Sequence, residues 1–175
     1  MKILIYTTHR TGSTSLANFL MFNLNYDYHR EGYFRNEFFK KHIETSNGII
    51  IKLTPMEVEY DLVKDMFDKR IILTREDIQA QSESRIYAEK ENKFFSAYNI
   101  PESFLIHNNE LIEWQKQVII KENELLKKCD DCLHITYEEL YNSNSGILKL
   151  EEYFDTKFKY GLEYKRYRNM NQNLL

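Results

Sequence analysis

A chain of 175 residues with 42% hydrophobic content is large enough to build its own core, and a single domain over residues 1–175 is expected. The net charge of −3 provides no global basic field, which argues against nucleic acid or an anionic membrane as partner. Basic residues recur locally instead (Arg10, Arg30, Arg35, Lys52, Arg75, Arg85, Arg166, Arg168), a spacing that suits a small anionic ligand.

The first apolar run, Ile3-Leu4-Ile5-Tyr6, reads as a buried strand over Lys2–Thr8. It is too short for a signal segment, and no window approaches a membrane span, so a cytoplasmic location is expected. A helix follows over Gly12–Leu24, and then an irregular aromatic stretch, Asn25–Asn47, too long for a simple connection. Gly48–Leu53 is the second predicted strand and Met56–Phe67 the next helix. Arg70–Thr74 is the third strand, and Asp77–Ala97 and Ser103–Lys128 form a helical pair split by Asn99-Ile100-Pro101. Cys132–Tyr137 and Ile147–Tyr153 complete the list as strand and helix. Strands alternating with helices imply right-handed crossovers and a short parallel sheet covered on both faces. The Cys129 and Cys132 pair has no second pair to complete a zinc site, so two free thiols in a reducing compartment are expected.

Residues 7–16, Thr-Thr-His-Arg-Thr-Gly-Ser-Thr-Ser-Leu, carry the chemistry. A strand running through a Gly/Ser/Thr turn into a helix makes an anion site, because the first helical N–H groups lack partners and the dipole end is positive. Gly12 permits close backbone approach; Ser13, Thr14 and Ser15 add hydroxyls; Arg10 adds a forked cation, and Thr11 is expected to bind with them. The loop lacks the first glycine and the lysine of the nucleotide-binding P-loop G-x-x-x-x-G-K-[ST], so it is a phosphate loop of another kind. Lys52 and Arg75 also fall at carboxyl ends of predicted strands, where ligands of parallel sheets bind.

Arg-[Ser/Thr]-Gly-[Ser/Thr]-Thr-x-Leu after a first strand resembles the 5′-phosphosulfate loop of sulfotransferases that use 3′-phosphoadenosine-5′-phosphosulfate. Arg75, Asp77, Gln81, Ser84 and Ala88 are similar to the Arg-x-Asp-x-x-x-Gln-x-x-Ser-x-x-x-Ala pattern of the bacterial carbohydrate branch. That resemblance implies a three-layer, P-loop-like α/β fold, with Arg75 and Ser84 gripping the donor's 3′-phosphate. Ser82 faces about 160° away from Ser84 around a helix, so only one of the two can point at the phosphate; Ser84 is preferred. Asp77 is the expected N-cap of that helix. Lys52-Leu53-Thr54-Pro55 resembles the turn in which related branches carry a catalytic lysine, but Thr54 stands where the cytosolic branch has a histidine base. The base is then expected among Glu31, Glu37 and His29, with Glu31 preferred because Glu31-Gly32 and Glu37-Phe38-Phe39 echo the carbohydrate branch. His134-Ile-Thr-Tyr137-Glu138-Glu139-Leu140 resembles the block that closes the sheet in this superfamily, where its role is structural.

The resemblance implies sulfuryl transfer to a hydroxyl or amine of a carbohydrate or other small molecule, with Arg10 and Lys52 meeting charge on the leaving phosphate and no metal required. The glycine-rich loop that ends the cytosolic branch is missing; Arg166 and Arg168, with Tyr167 stacking on the base, are candidates to replace it. Two other readings remain open: an inactive nucleotide-binding module of the same fold, and a P-loop kinase-like phosphotransferase with Asp77 as metal ligand.

Overall fold

A computed structural model of the chain describes residues 1–29, 41, 43–93, 99–143, 145–159 and 161. The strands are β1 (Lys2–Thr7), β2 (Asp27–His29), β3 (Ile49–Leu53), β4 (Lys69–Thr74) and β5 (Leu133–Thr136). The helices are α1 (Ser13–Leu24), α2 (Ile78–Lys90), α3 (Glu102–His107), α4 (Asn109–Leu126), α5 (Tyr137–Tyr141) and α6 (Ser145–Phe154). The strands form one parallel sheet in the order β2-β3-β1-β4-β5. The chain leaves β1 toward β2 on one side, then crosses from β3 to β4 on the other. The carboxyl end of β1 is therefore a topological switch point, where parallel sheets open a crevice.

Alternation along the strands divides the core in two. Ile3, Ile5, Ile50, Ile71, Leu73 and Ile135 face one side, where Leu16, Phe19 and Leu20 of α1, Leu140 of α5 and Leu150 of α6 cover them. Leu4, Tyr6, Ile49, Ile51, Leu53 and Ile72 face the other, against Tyr60, Val63, Phe67 and Leu126. Burial on both faces explains why these strands read as unbroken apolar runs. The result is a three-layer α/β fold. Among the described residues, no helix is long and apolar enough to cross a membrane.

The predicted helix over Met56–Phe67 is not formed. The segment makes two 3₁₀ turns, Tyr60–Leu62 and Lys64–Met66, with Leu62, Val63, Met66 and Phe67 each donating to the carbonyl three residues back. The Val58 carbonyl that an α-helix would offer to Leu62 accepts the Tyr6 hydroxyl instead, at 2.7 Å. The predicted helix over Ser103–Lys128 is interrupted at Asn108, whose side chain and backbone N–H both donate to the Phe104 carbonyl. β2 lies inside the stretch expected to be irregular; three residues are too few to show a period. α2 stops at Lys90, short of Ala97, with Asn92 in left-handed backbone at φ 51°.

Candidate functional site

The strand register aligns three connections at one rim. Thr7 pairs with Leu73, Tyr6 with Leu53 and Thr74 with Thr136. The turns that begin at Thr8, Thr54, Arg75 and Tyr137 therefore start within two residues of one another along the sheet.

The turn after β1 is shaped by two residues with positive φ, Arg10 at 63° and Gly12 at 79°. It is held from below by hydroxyls: Thr7 donates to the Leu73 carbonyl at 2.6 Å, and its oxygen lies 2.6 Å from that of Thr11. Thr11 is thus turned into the fold, and what it offers a ligand comes from its backbone. Gln81 of α2, fully buried, donates to the Thr8 hydroxyl and the His9 carbonyl at 2.7 and 2.6 Å. Gly12, the N-cap of α1, has no side chain with which to cap it, so Ser13, Thr14 and Ser15 open the helix with the kind of N-terminal donors that bind anions elsewhere.

Gly12 is required twice over. A Cβ at this position would lie 2.7 Å from Cε2 of Tyr141 and 3.1 Å from Cδ2 of Tyr137, and the backbone is left-handed. Gly12→Ala is expected to cost about 1–3 kcal/mol, read as a Tm lower by about 3–10 °C. An unchanged melting curve would show that this loop is free to relax.

Arg10 reaches sideways, and its Nε donates to Ser84 Oγ at 2.9 Å. Ser82 is fully buried and donates to the Ile78 carbonyl of its own helix at 2.7 Å. The serine turned toward the loop is therefore Ser84. Arg75 Nη1 donates to the Arg10 carbonyl at 3.5 Å, its guanidinium lies 4.6 Å from the centre of the Tyr137 ring, and its Nε is 4.0 Å from Glu138. Arg10, Ser84 and Arg75 thus form one cluster, with Ser84 touching Arg10. Asp77 caps α2 by accepting the Ala80 N–H at 2.9 Å.

Lys52 is buried on β3, opposite Ile5. It shares the strand face of Ile50, the face that α1 covers. Thr54, the first residue after β3, donates its N–H and hydroxyl to Glu57 at 3.0 and 3.2 Å. Among the base candidates, His29 ends β2 opposite Ile51, whereas Glu31 and Glu37 lie outside the described residues. So do Arg30, Arg35, Arg166, Tyr167 and Arg168.

Arg85 is engaged by two carboxylates, with Nε donating to Glu89 at 3.1 Å and Nη1 at 3.8 Å from Glu122 of α4. Burial raises the Glu122 carboxyl above the ordinary range, and Arg85 opposes that shift. Cys129 and Cys132 are free thiols; burial pushes Cys129 up to about 12, far from the reactive thiolate range. Among the described residues, no cluster of three or more His, Cys, Asp or Glu side chains is arranged to hold a metal.

The block after β5, structural by resemblance, also reaches the rim. The Thr136–Glu139 capping box starts α5, and Lys149 closes on Glu139. Glu138 accepts the N–H groups of Glu76 and Asp77 at 3.0 and 3.3 Å, which fixes the turn that carries Arg75. Tyr141 donates to the Gly12 carbonyl at 2.9 Å. Spacing held a signal for Tyr141: it lies one helical turn from Tyr137, at a carboxyl strand end.

No protein-family model matches this chain, and no curated protein matches its sequence.

Proposed function

We propose that this protein is a sulfotransferase that moves a sulfuryl group from 3′-phosphoadenosine-5′-phosphosulfate to a hydroxyl or amine of a carbohydrate or other small molecule. The observation that carries the reading is the meeting of Arg10, Ser84 and Arg75 beside the N-terminus of α1, near the end of the strand bearing Lys52. Arg10 comes from the turn after β1, Arg75 and Ser84 from the turn after β4 and the helix it opens, and Lys52 from β3; all of them belong to the phosphosulfate pattern. In this reading Gly12–Ser15 and Arg10 hold the 5′-phosphosulfate, and Arg75 with Ser84 holds the 3′-phosphate.

Transfer is in line. The acceptor oxygen or nitrogen forms a bond to sulfur as sulfur parts from the bridging oxygen, a base takes the acceptor's proton, and 3′,5′-adenosine bisphosphate leaves. Negative charge grows on the bridging oxygen, so cations already aimed there lower the barrier. Arg10 and Lys52 have that task. Glu31, Glu37 and His29 are the candidates for the base.

The kinase-like alternative is weakened by Asp77, whose carboxylate serves as a helix cap. The inactive-binder alternative draws on Thr54, whose hydroxyl is tied to Glu57 and is no base. Calorimetric titration separates the readings. The sulfotransferase reading expects 3′,5′-adenosine bisphosphate to bind more tightly than ATP, with or without magnesium. Magnesium-dependent preference for ATP would overturn it. Sulfuryl transfer from the donor to a panel of sugars and phenols then distinguishes an enzyme from a binder.

A further inference from the structure

We propose that Tyr141 is a positioning residue that aims the Ser13 amide at the anion, acting through the Gly12–Ser13 peptide plane; the inference rests on the sulfotransferase reading of this loop. The Gly12 carbonyl accepts two hydrogen bonds, from the Leu16 N–H at 3.1 Å and from the Tyr141 hydroxyl at 2.9 Å. The first is the opening bond of α1. The second arrives from the other end of the chain, 129 residues away.

A trans peptide is planar, with its carbonyl and N–H pointing in opposite directions. Holding the Gly12 carbonyl against Leu16 and Tyr141 therefore turns the Ser13 N–H the other way, out of the helix end. Gly12 alone does not ensure this orientation, because glycine is the residue whose peptide planes turn most freely. The tyrosine supplies what glycine lacks. Its ring packs on the Cα of Gly12 closely enough to exclude a methyl group, and it is backed by Tyr137, whose ring centre lies 4.5 Å away at 31°. Tyr137 in turn lies under the Arg75 guanidinium. One helical turn, α5, thereby braces the loop after β1 while Glu138 braces the turn after β4.

Tyr141→Phe keeps the ring and removes the hydroxyl. Titration with 3′,5′-adenosine bisphosphate is expected to show a loss of about 3- to 10-fold, the range for one hydrogen bond. Adenosine 3′-monophosphate, which has no group for the Ser13 amide, is expected to bind as before. Amide hydrogen exchange at Leu16 in the unliganded variant should accelerate several-fold, while Tm moves little. Equal losses for both nucleotides, or no loss for either, would overturn the assignment. If the wild-type protein binds neither nucleotide, the sulfotransferase reading fails. The positioning role is then decided by Leu16 exchange, and an unchanged rate overturns it.

Discussion

Lys52→Met is expected to lower turnover by about 10²- to 10³-fold, the range seen when one pre-aimed donor to a developing charge is removed. Donor affinity should stay within about 2-fold, because uniform binding energy does not accelerate the chemical step. Lys52 is 9% exposed and lies on the strand face covered by α1. That is the side on which a phosphosulfate at the N-terminus of α1 would lie, and a fixed cation there acts most strongly as the bridging oxygen gains charge. Methionine retains the buried stem, so a fall in rate reports the ammonium and not a cavity. Single-turnover kinetics at saturating donor make the measurement. If donor binding collapses while turnover at saturation stays normal, Lys52 is a ground-state ligand.

Arg75→Ala is expected to weaken 3′,5′-adenosine bisphosphate binding by about 10- to 150-fold, the consequence of losing a charge-assisted pair worth about 1.5–3 kcal/mol. Adenosine 5′-phosphosulfate, which lacks the 3′-phosphate, should be nearly unaffected. The structure strengthens the contrast, because the guanidinium is oriented on three sides, by the Arg10 carbonyl, the Tyr137 ring and Glu138. Arg75→Lys should rescue only part of the loss, since an ammonium cannot keep the flat face on Tyr137 together with the fork. Equal losses for the two nucleotides would remove Arg75 from the 3′-phosphate and return it to a purely structural role. Comparing the two ligands by calorimetry in one buffer at fixed salt keeps ionic screening the same for both.

Local sequence determined the elements whose signals are local. β1, β3 and β4 are apolar on both faces, so each reads as a strand without reference to its neighbours. α1 ends at Leu24 because Asn25 adopts the left-handed C-cap that asparagine tolerates, and α2 begins where the Asp77 carboxylate takes the Ala80 N–H. Those signals were also sufficient to bring Arg10, Lys52 and Arg75 to one side of the sheet, because parallel strands all end at the same rim. Tertiary structure decided the rest. Met56–Phe67 has helical apolar spacing, yet the Tyr6 hydroxyl takes the Val58 carbonyl and the segment tightens into 3₁₀ turns. The choice between Ser82 and Ser84 became concrete only when one bonded to its own helix and the other to Arg10. Tyr141 and Glu138 joined the site through hydrogen bonds spanning 129 and about 60 residues of chain. Propensity and periodicity act over a few turns of chain; contacts of that separation exist only once the sheet has set its strand order.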